Sequence, residues 1–478
     1  MPATQVLSRP ALAEYYGRPA VRARIREYCG FDSGHSATSV FLSAALPGAP
    51  IPNRWTLHPR FPTRDLDELL DRGADIFRSL WDRDSLLVCF DVDCLNADRL
   101  GHPFARPAEV FRKLEPTYQA VCGLLVQHGL SLLPVMTGRG YQFIGRVPLE
   151  SAIVHHVAAL APGVPDWHAM RDRRLPRWID DRMSSLQARA YVGTGLLLEH
   201  LAHQVMRRAA GASPIPLVLN GTNVGAGGEG REAVSLDLSF AGDPLDVRHV
   251  RVTFGGYQLH RFRPDLYGPD VAALEPLVAV PRGSRTLDEM LHGYRSPAGA
   301  GLLAESSDAR IPDVTEGLTA LAADYEPSSL ARFHRDFHAI EPHGPAAWAS
   351  TYDRLDLPAL PPCVAAPLAA PHDLLLRPEH LQHVTRHLMS DGWAPRHIAG
   401  LVWSRYGKDF GWGDRWMRLS PRARAEFDVR VFAGMVATGL DRGVDFNCRS
   451  AQEKRLCPLT GCPRDLRVNR DRLLARWA

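Results

Sequence analysis

The run Leu86-Leu87-Val88-Cys89-Phe90 passes directly into Asp91-Val92-Asp93. A short apolar stretch of this kind reads as a buried strand. Side chains at i and i+2 of a strand share a face, so both carboxylates would project together from one edge of a sheet. Neighbouring carboxylates repel unless a positive charge lies between them. Mg²⁺ or Mn²⁺ suits that place, because both prefer oxygen ligands. Taken alone, the same tripeptide also suits a loop that caps a helix.

The flanking sequence supplies more strands and a long helix. Pro107 suits a first helical position, and a helix is expected from there to about His128. Ser131–Met136 and Tyr141–Val147 read as strands joined by a turn at Thr137-Gly138-Arg139-Gly140. The two glycines let backbone amides approach a phosphate, Arg139 adds charge, and Thr137 and Gln142 add donors. The bland alternative is an ordinary hairpin turn. Trp178–Ala209 reads as largely helical. In Glu232–Phe240, Val234, Leu236, Leu238 and Phe240 alternate with polar residues, as in a half-buried strand. Asp237 lies there, on the face of Ser235 and Ser239. Three strand-borne acids suit a pair of cations about 3.5–4 Å apart, the arrangement that serves in-line attack at phosphorus. Val247–Phe254 reads as a further strand, with His249 and Arg251 on one face. Gly225-Ala226-Gly227-Gly228-Glu229-Gly230 fits the dinucleotide spacing, but a strand follows it where that fingerprint requires a helix.

Size and composition bound these readings. At ~150 residues per domain, 478 residues make two or three domains. The formal net charge of +3 says little about partners. The basic residues are almost all arginine; the lysines are Lys113, Lys408 and Lys454. Neither a signal-like apolar core at the N-terminus nor a membrane-length apolar run is present, so a cytoplasmic protein is expected. No Walker A motif is found, so any helicase would be a separate partner.

Toward the C-terminus a Pro-rich stretch at Leu355–Cys363 leads into helical segments near Glu379–Met389, Pro395–Arg405 and Arg422–Gly439. Ser420 suits the N-cap of the last, Pro421 its first position and Gly439 its stop. Of eight cysteines, Cys448, Cys457 and Cys462 fall close together, with Cys363 well upstream. Their spacing does not match common zinc modules. Four thiolates suffice for a [4Fe–4S] cluster or for zinc, and buried free thiols are the alternative. Trp403, Trp412 and Trp416 lie among Arg405, Lys408, Arg415 and Arg418. That neighbourhood suits either a grip on single-stranded nucleic acid or the core of a small domain.

FDVD, TGRGYQ and SLDLS…HVR, in that order, resemble the motifs of the archaeo-eukaryotic primase superfamily of primases and primase–polymerases. The resemblance implies an α+β catalytic domain with an RRM-like mixed sheet. It implies Asp91, Asp93 and Asp237 as ligands of catalytic Mg²⁺ or Mn²⁺, and Thr137, Gly138, Arg139, Gly140, Gln142 and Arg251 as contacts of an NTP or dNTP. Gln142 stands where the family usually has histidine, so it can donate a hydrogen bond there but carries no charge. Residues 357–465 resemble the iron–sulfur domain of the primase large subunit, which implies Cys363, Cys448, Cys457 and Cys462 as ligands of a [4Fe–4S] cluster, with zinc as the alternative. The expected division is a catalytic domain at 1–285, a connector at 286–350 and a helical cluster domain at 351–478. The expected activity is template-dependent primer synthesis on single-stranded DNA, with a helicase or polymerase as a separate partner. Two alternatives stay open: a nucleic-acid-binding subunit without activity, and a metal-dependent nuclease with an iron–sulfur clamp.

Overall fold

The computed structural model describes residues 12–31, 37–47, 58–161, 178–179, 183–221, 231–242, 249–369, 377–407, 420–459 and 462–477. The architecture is α+β, with mixed sheets and many helices. The glycine-rich stretch 225–230, Trp412, Trp416, Lys408, Arg415 and Arg418 lie outside the described residues.

Two sheets carry the N-terminal part. In the larger, the order is β12 (Val280–Pro281), β5 (Leu133–Met136), β6 (Gly140–Pro148), β4 (Ser85–Asn96), β8 (Glu232–Asp237) and β7 (Leu217–Leu219). Its pairs are antiparallel except β7 with β8. The smaller sheet has the order β2 (Arg60–Phe61), β1 (Leu42–Ala45), β3 (Asp75–Ser79) and β9 (His249–Arg251). A short ribbon pairs β10 (Gly256–Tyr257) with β11 (Leu277–Val278).

The expected hairpin is present as β5 and β6, and the first apolar run is the heart of β4. That strand does not stop at Phe90, however. It continues to Asn96, so Asp91 and Asp93 lie inside it, hydrogen-bonded on both sides. Conversely, the strand expected to reach Phe240 ends at Asp237, and Ser239–Ala241 is a 3-10 turn. The Arg251 strand belongs to the smaller sheet, paired with β3 and not with the acidic strands.

The two faces of the larger sheet differ. Phe90 and Phe143 face each other across β4 and β6. The helix Pro107–Gln127 covers that face, with Tyr118 stacked on Phe143 at 5.8 Å and packed on Tyr141 at 4.4 Å. Asp91 and Asp93 point to the opposite face by strand alternation. On that side Leu87 and Cys89 share a small pocket with Tyr191, Thr194 and Leu198 of the helix Ser185–Ala209.

The described hydrophobic residues form two cores. The first spans both sheets, takes in Leu303, Leu318 and Leu321, and reaches Phe427, Val431 and Met435. The second gathers Phe333, Phe337, Cys363, Leu388, Val429, Ala433 and Leu473. The helix Pro421–Ala437 therefore serves both, its opposite faces buried in different cores. Its start follows the sequence reading: the Ser420 hydroxyl accepts from the Ala423 amide at 3.2 Å, and Pro421 stands at the first position. Gly439 follows its end at φ +69°, a conformation that favours glycine. No helix among the described residues is long and apolar enough to cross a membrane.

Candidate functional site

Strand register assembles the acidic site. Asp91 of β4 is directly opposite Gln142 of β6 on one side and Asp237 of β8 on the other. Directly paired residues share a face and hold their Cβ atoms about 4.5–5.5 Å apart. One pleat further along the same face, Asp93 is opposite Gly140 and Ser235. Asp91 and Asp237 are half-buried and Asp93 is buried. The Asp93 carboxylate accepts a 2.5 Å hydrogen bond from Arg139 Nη2. Asp237 Oδ1 accepts from the Ser239 amide at 2.9 Å and from the Ser239 hydroxyl.

The Thr137–Gly140 turn is tightly built. The Thr137 amide donates to the Gly140 carbonyl at 2.8 Å, and the Gly140 amide donates to Thr137 Oγ1 at 3.2 Å. Arg295, fully buried, donates to the carbonyls of Thr137 and Gly138 at 3.3 and 2.8 Å. Burial brings the Arg295 guanidinium down to about 10. Both glycines answer to close approach. A Cβ on Gly138 would come within 2.5 Å of the Tyr257 ring, and one on Gly140 within 2.0 Å of the Val92 carbonyl oxygen. The turn thus packs on β4 on one side and on an aromatic ring on the other. Among the described residues, the Gly138 and Arg139 amides have no hydrogen-bond acceptor.

The remaining two expected contacts have protein partners. Gln142 is buried and donates to the Tyr28 hydroxyl at 3.2 Å. Arg251 Nη1 is 3.1 Å from Asp75 Oδ2 and also donates to the Gly256 carbonyl. Its guanidinium lies 4.4 Å from the Phe77 ring and 4.1 Å from the Tyr257 ring. Since Tyr257 also packs on Gly138, Arg251 reaches the turn through that ring.

Carboxylates on one sheet face are the donors that Mg²⁺ or Mn²⁺ takes. Among the described residues, no three His, Cys, Asp or Glu side chains already stand close enough together to hold a metal ion. The acids therefore fit the cation in type and face.

The four C-terminal cysteines share a neighbourhood. Cys363 is buried in the second core, and Cys448 and Cys457 pack against that core. Burial pushes the Cys363 thiol up to about 12, with the charges of Cys457, Cys448 and Cys462 adding to the effect. Its Sγ is 3.1 Å from His383 Nε2. Cys448 Sγ accepts from the Leu466 amide at 3.4 Å, and Cys457 Sγ donates to the Leu459 carbonyl at 3.3 Å. Sulfur donors of this number suit zinc or an iron–sulfur cluster in type, but among the described residues, which include all four, no three of them stand close enough together to hold a metal ion. Trp403 is partly buried, set edge-on to Trp348 at 4.9 Å, with the Arg422 guanidinium 5.0 Å from its ring.

Sequence reasoning missed Arg295, Tyr257, Asp75 and the pair Glu199–Arg430. Glu199 sits in the helix Ser185–Ala209, wholly buried, and accepts from Arg430 at 3.0 and 3.2 Å. His334 Nε2 is 3.1 Å from its other oxygen. Burial alone would raise the Glu199 carboxyl, but His334 and Arg430 hold it well below the usual range. A glutamate within the apolar run of a predicted helix was the available signal, since buried charge demands a partner.

No family model matches the sequence. No curated protein matches it. Among solved structures, the polymerase domain of Mycobacterium tuberculosis ligase D, in complex with DNA, is similar over 68% of this chain and 91% of that one. The identity is 15% and the TM-score 0.30. A superposition that loose carries no argument about fold or chemistry.

Proposed function

We propose that this chain is a nucleotidyltransferase that copies single-stranded DNA, as a primase or primase–polymerase. The observation that carries the reading is the register that sets Asp91 opposite Asp237 and Asp93 beside the Arg139 turn. Asp91, Asp93 and Asp237 would hold Mg²⁺ or Mn²⁺. When bound, such ions neutralise a nucleoside triphosphate and activate a 3′-hydroxyl for attack on its α-phosphate, with pyrophosphate leaving. The Gly138 and Arg139 amides and the Arg139 guanidinium would receive the triphosphate. Thr137, Gly140 and Arg295 shape that turn, and Arg251 supports it through Tyr257. The four cysteines would hold a [4Fe–4S] cluster or zinc and help secure the template. Single-stranded DNA and NTPs or dNTPs are the partners, with any helicase a separate protein.

A second reading, a binding subunit without activity, has an observation of its own: Tyr28 occupies Gln142, and Asp75 occupies Arg251. The nuclease reading fares worse. Lys113 Nζ is bound by Glu232 at 2.9 Å and Glu109 at 3.2 Å, away from the acidic row.

The test uses protein purified without oxygen, single-stranded DNA, Mg²⁺ or Mn²⁺ and labelled NTPs or dNTPs, with and without a primer. Labelled oligomers from the wild type, absent with Asp91→Ala/Asp93→Ala, are expected. No product from either protein, primed or unprimed, would leave the binding-subunit reading in its place.

A further inference from the structure

A buried cation backs the Thr137–Gly140 turn. Arg295 is 4% exposed. Its Nη2 donates to the carbonyls of Thr137 and Gly138, and its Nε has no partner. The guanidinium lies 4.8 Å from the Phe111 ring. The titratable groups that act on it are the phenols of Tyr141 and Tyr257. Burial raises both phenols, so neither carries negative charge at neutral pH. Among the described residues no carboxylate pairs with Arg295. A cation buried without a counter-charge is costly, and buried charges are normally paired. The chain before it is unusual as well: Met290–Tyr294 is wound as a π-helix, a form frequent at functional sites.

The two bonds of Arg295 decide where the amides of the turn point. Among the described residues every peptide bond is trans. In a trans unit the C=O and N–H point in opposite directions. The carbonyls of Thr137 and Gly138 face Arg295, so the amides of Gly138 and Arg139, in the same two peptide units, face away from it. These are the two amides that have no acceptor among the described residues. A cation on the carbonyl side also polarises each unit and makes its N–H a stronger donor. Successive amides held this way form a concavity suited to an anion.

We propose that Arg295 is a positioning residue for phosphate: it aims the Gly138 and Arg139 amides at the bound group, which in turn supplies the negative charge missing around the buried guanidinium. This inference rests on the reading of the turn as the triphosphate site. It makes phosphate affinity depend on a residue that acts through two peptide units, without touching the nucleotide.

The test measures binding of inorganic tripolyphosphate to the full chain by titration calorimetry, with Mg²⁺ and without DNA. Wild type, Arg295→Gln and Arg295→Lys are compared between ~pH 6 and ~pH 9, with melting temperatures taken without ligand. Arg295→Gln should weaken binding by about 10- to 100-fold at every pH. Arg295→Lys keeps the charge at ~pH 6 and should stay within about threefold of wild type there. Toward ~pH 9 it should fall to the level of Arg295→Gln, because a buried ammonium loses its proton where a guanidinium does not. That pH profile, read relative to wild type, carries the test even where Arg295→Gln does not fold. Wild-type affinity in Arg295→Gln, or an Arg295→Lys deficit that does not change with pH, overturns the role of Arg295 and leaves the nucleotidyltransferase reading standing. No tripolyphosphate binding by the wild type overturns both.

Discussion

The acidic row and the thiol group are built by different means. Asp91, Asp93 and Asp237 sit on two adjacent hydrogen-bonded strands of one sheet, so the backbone ladder fixes which side chains face one another. The thiols stand at a helix start, in loops and in a short helix far upstream, and only Cys363 is buried. Loops give such a site no ladder, so its closure depends on packing and on whatever the sulfurs bind. A sheet-borne site should thus survive the loss of its ligand, and a loop-borne one should not. Removing one member from each site tests that contrast directly.

Asp91→Ala carries the largest expected effect. Synthesis should fall by about a thousandfold, roughly 4 kcal/mol of transition-state stabilisation, measured as single-turnover incorporation. The melting temperature should scarcely move, because the β4 ladder does not depend on that side chain. Cys448→Ser should do the reverse, lowering the melting temperature and the iron or zinc content while leaving Mn²⁺ affinity intact. A large drop in melting temperature for Asp91→Ala would break the comparison.

The two cores are joined by the helix Pro421–Ala437, and Arg430 ties it to Glu199 of the helix Ser185–Ala209. Arg430→Met should cost about 3–5 kcal/mol, because it strands a buried carboxylate. Urea unfolding would measure it. The double variant Arg430→Met/Glu199→Leu should recover much of that loss, since replacing both members of a buried pair by apolar residues is often near neutral. A single variant within about 1 kcal/mol of wild type would mean that the pair is not what couples the cores.

What was legible in the sequence was local. The β4 run, the β5–β6 hairpin and the Ser420–Pro421–Gly439 signals each depend on neighbours along the chain, and each is where the sequence puts it. The length of β4 was not legible, because Asp91 and Asp93 look like the end of a strand and are instead paired on both sides by β6 and β8. The partner of the Arg251 strand was not legible either: its register is set by Phe77 of β3, far upstream. The acids were found by type and alternation.

Acid should loosen the join between the cores before it reaches the sheet. His203, wholly buried on the helix Ser185–Ala209, has its imidazole lowered to about 3, by burial first. Unfolded histidine titrates near ~6.5. Between those values the unfolded chain binds a proton that the folded chain refuses. The stabilising contribution is therefore complete above the unfolded value and is lost as pH falls through the window toward 3. The loss is at most about 1.4 kcal/mol per pH unit for one such group. His203→Gln should flatten the dependence of urea midpoint on pH between ~6.5 and ~4. An unchanged slope would assign the acid sensitivity elsewhere.

The smallest expected effect concerns Gln142, which stands opposite Asp91 and meets the buried Tyr28 hydroxyl. Its carboxamide donates to Tyr28, so Gln142→His exchanges one neutral hydrogen bond for another and should change stability by less than about 1 kcal/mol. If Tyr28 is what the side chain serves, nucleotide affinity should stay within about twofold of wild type, because no new charge faces the triphosphate. A clear gain in affinity, largest below the imidazole pKa, would instead place residue 142 against phosphate. The two outcomes separate a row built wholly for the ligand from one in which the sheet keeps a position for its own packing.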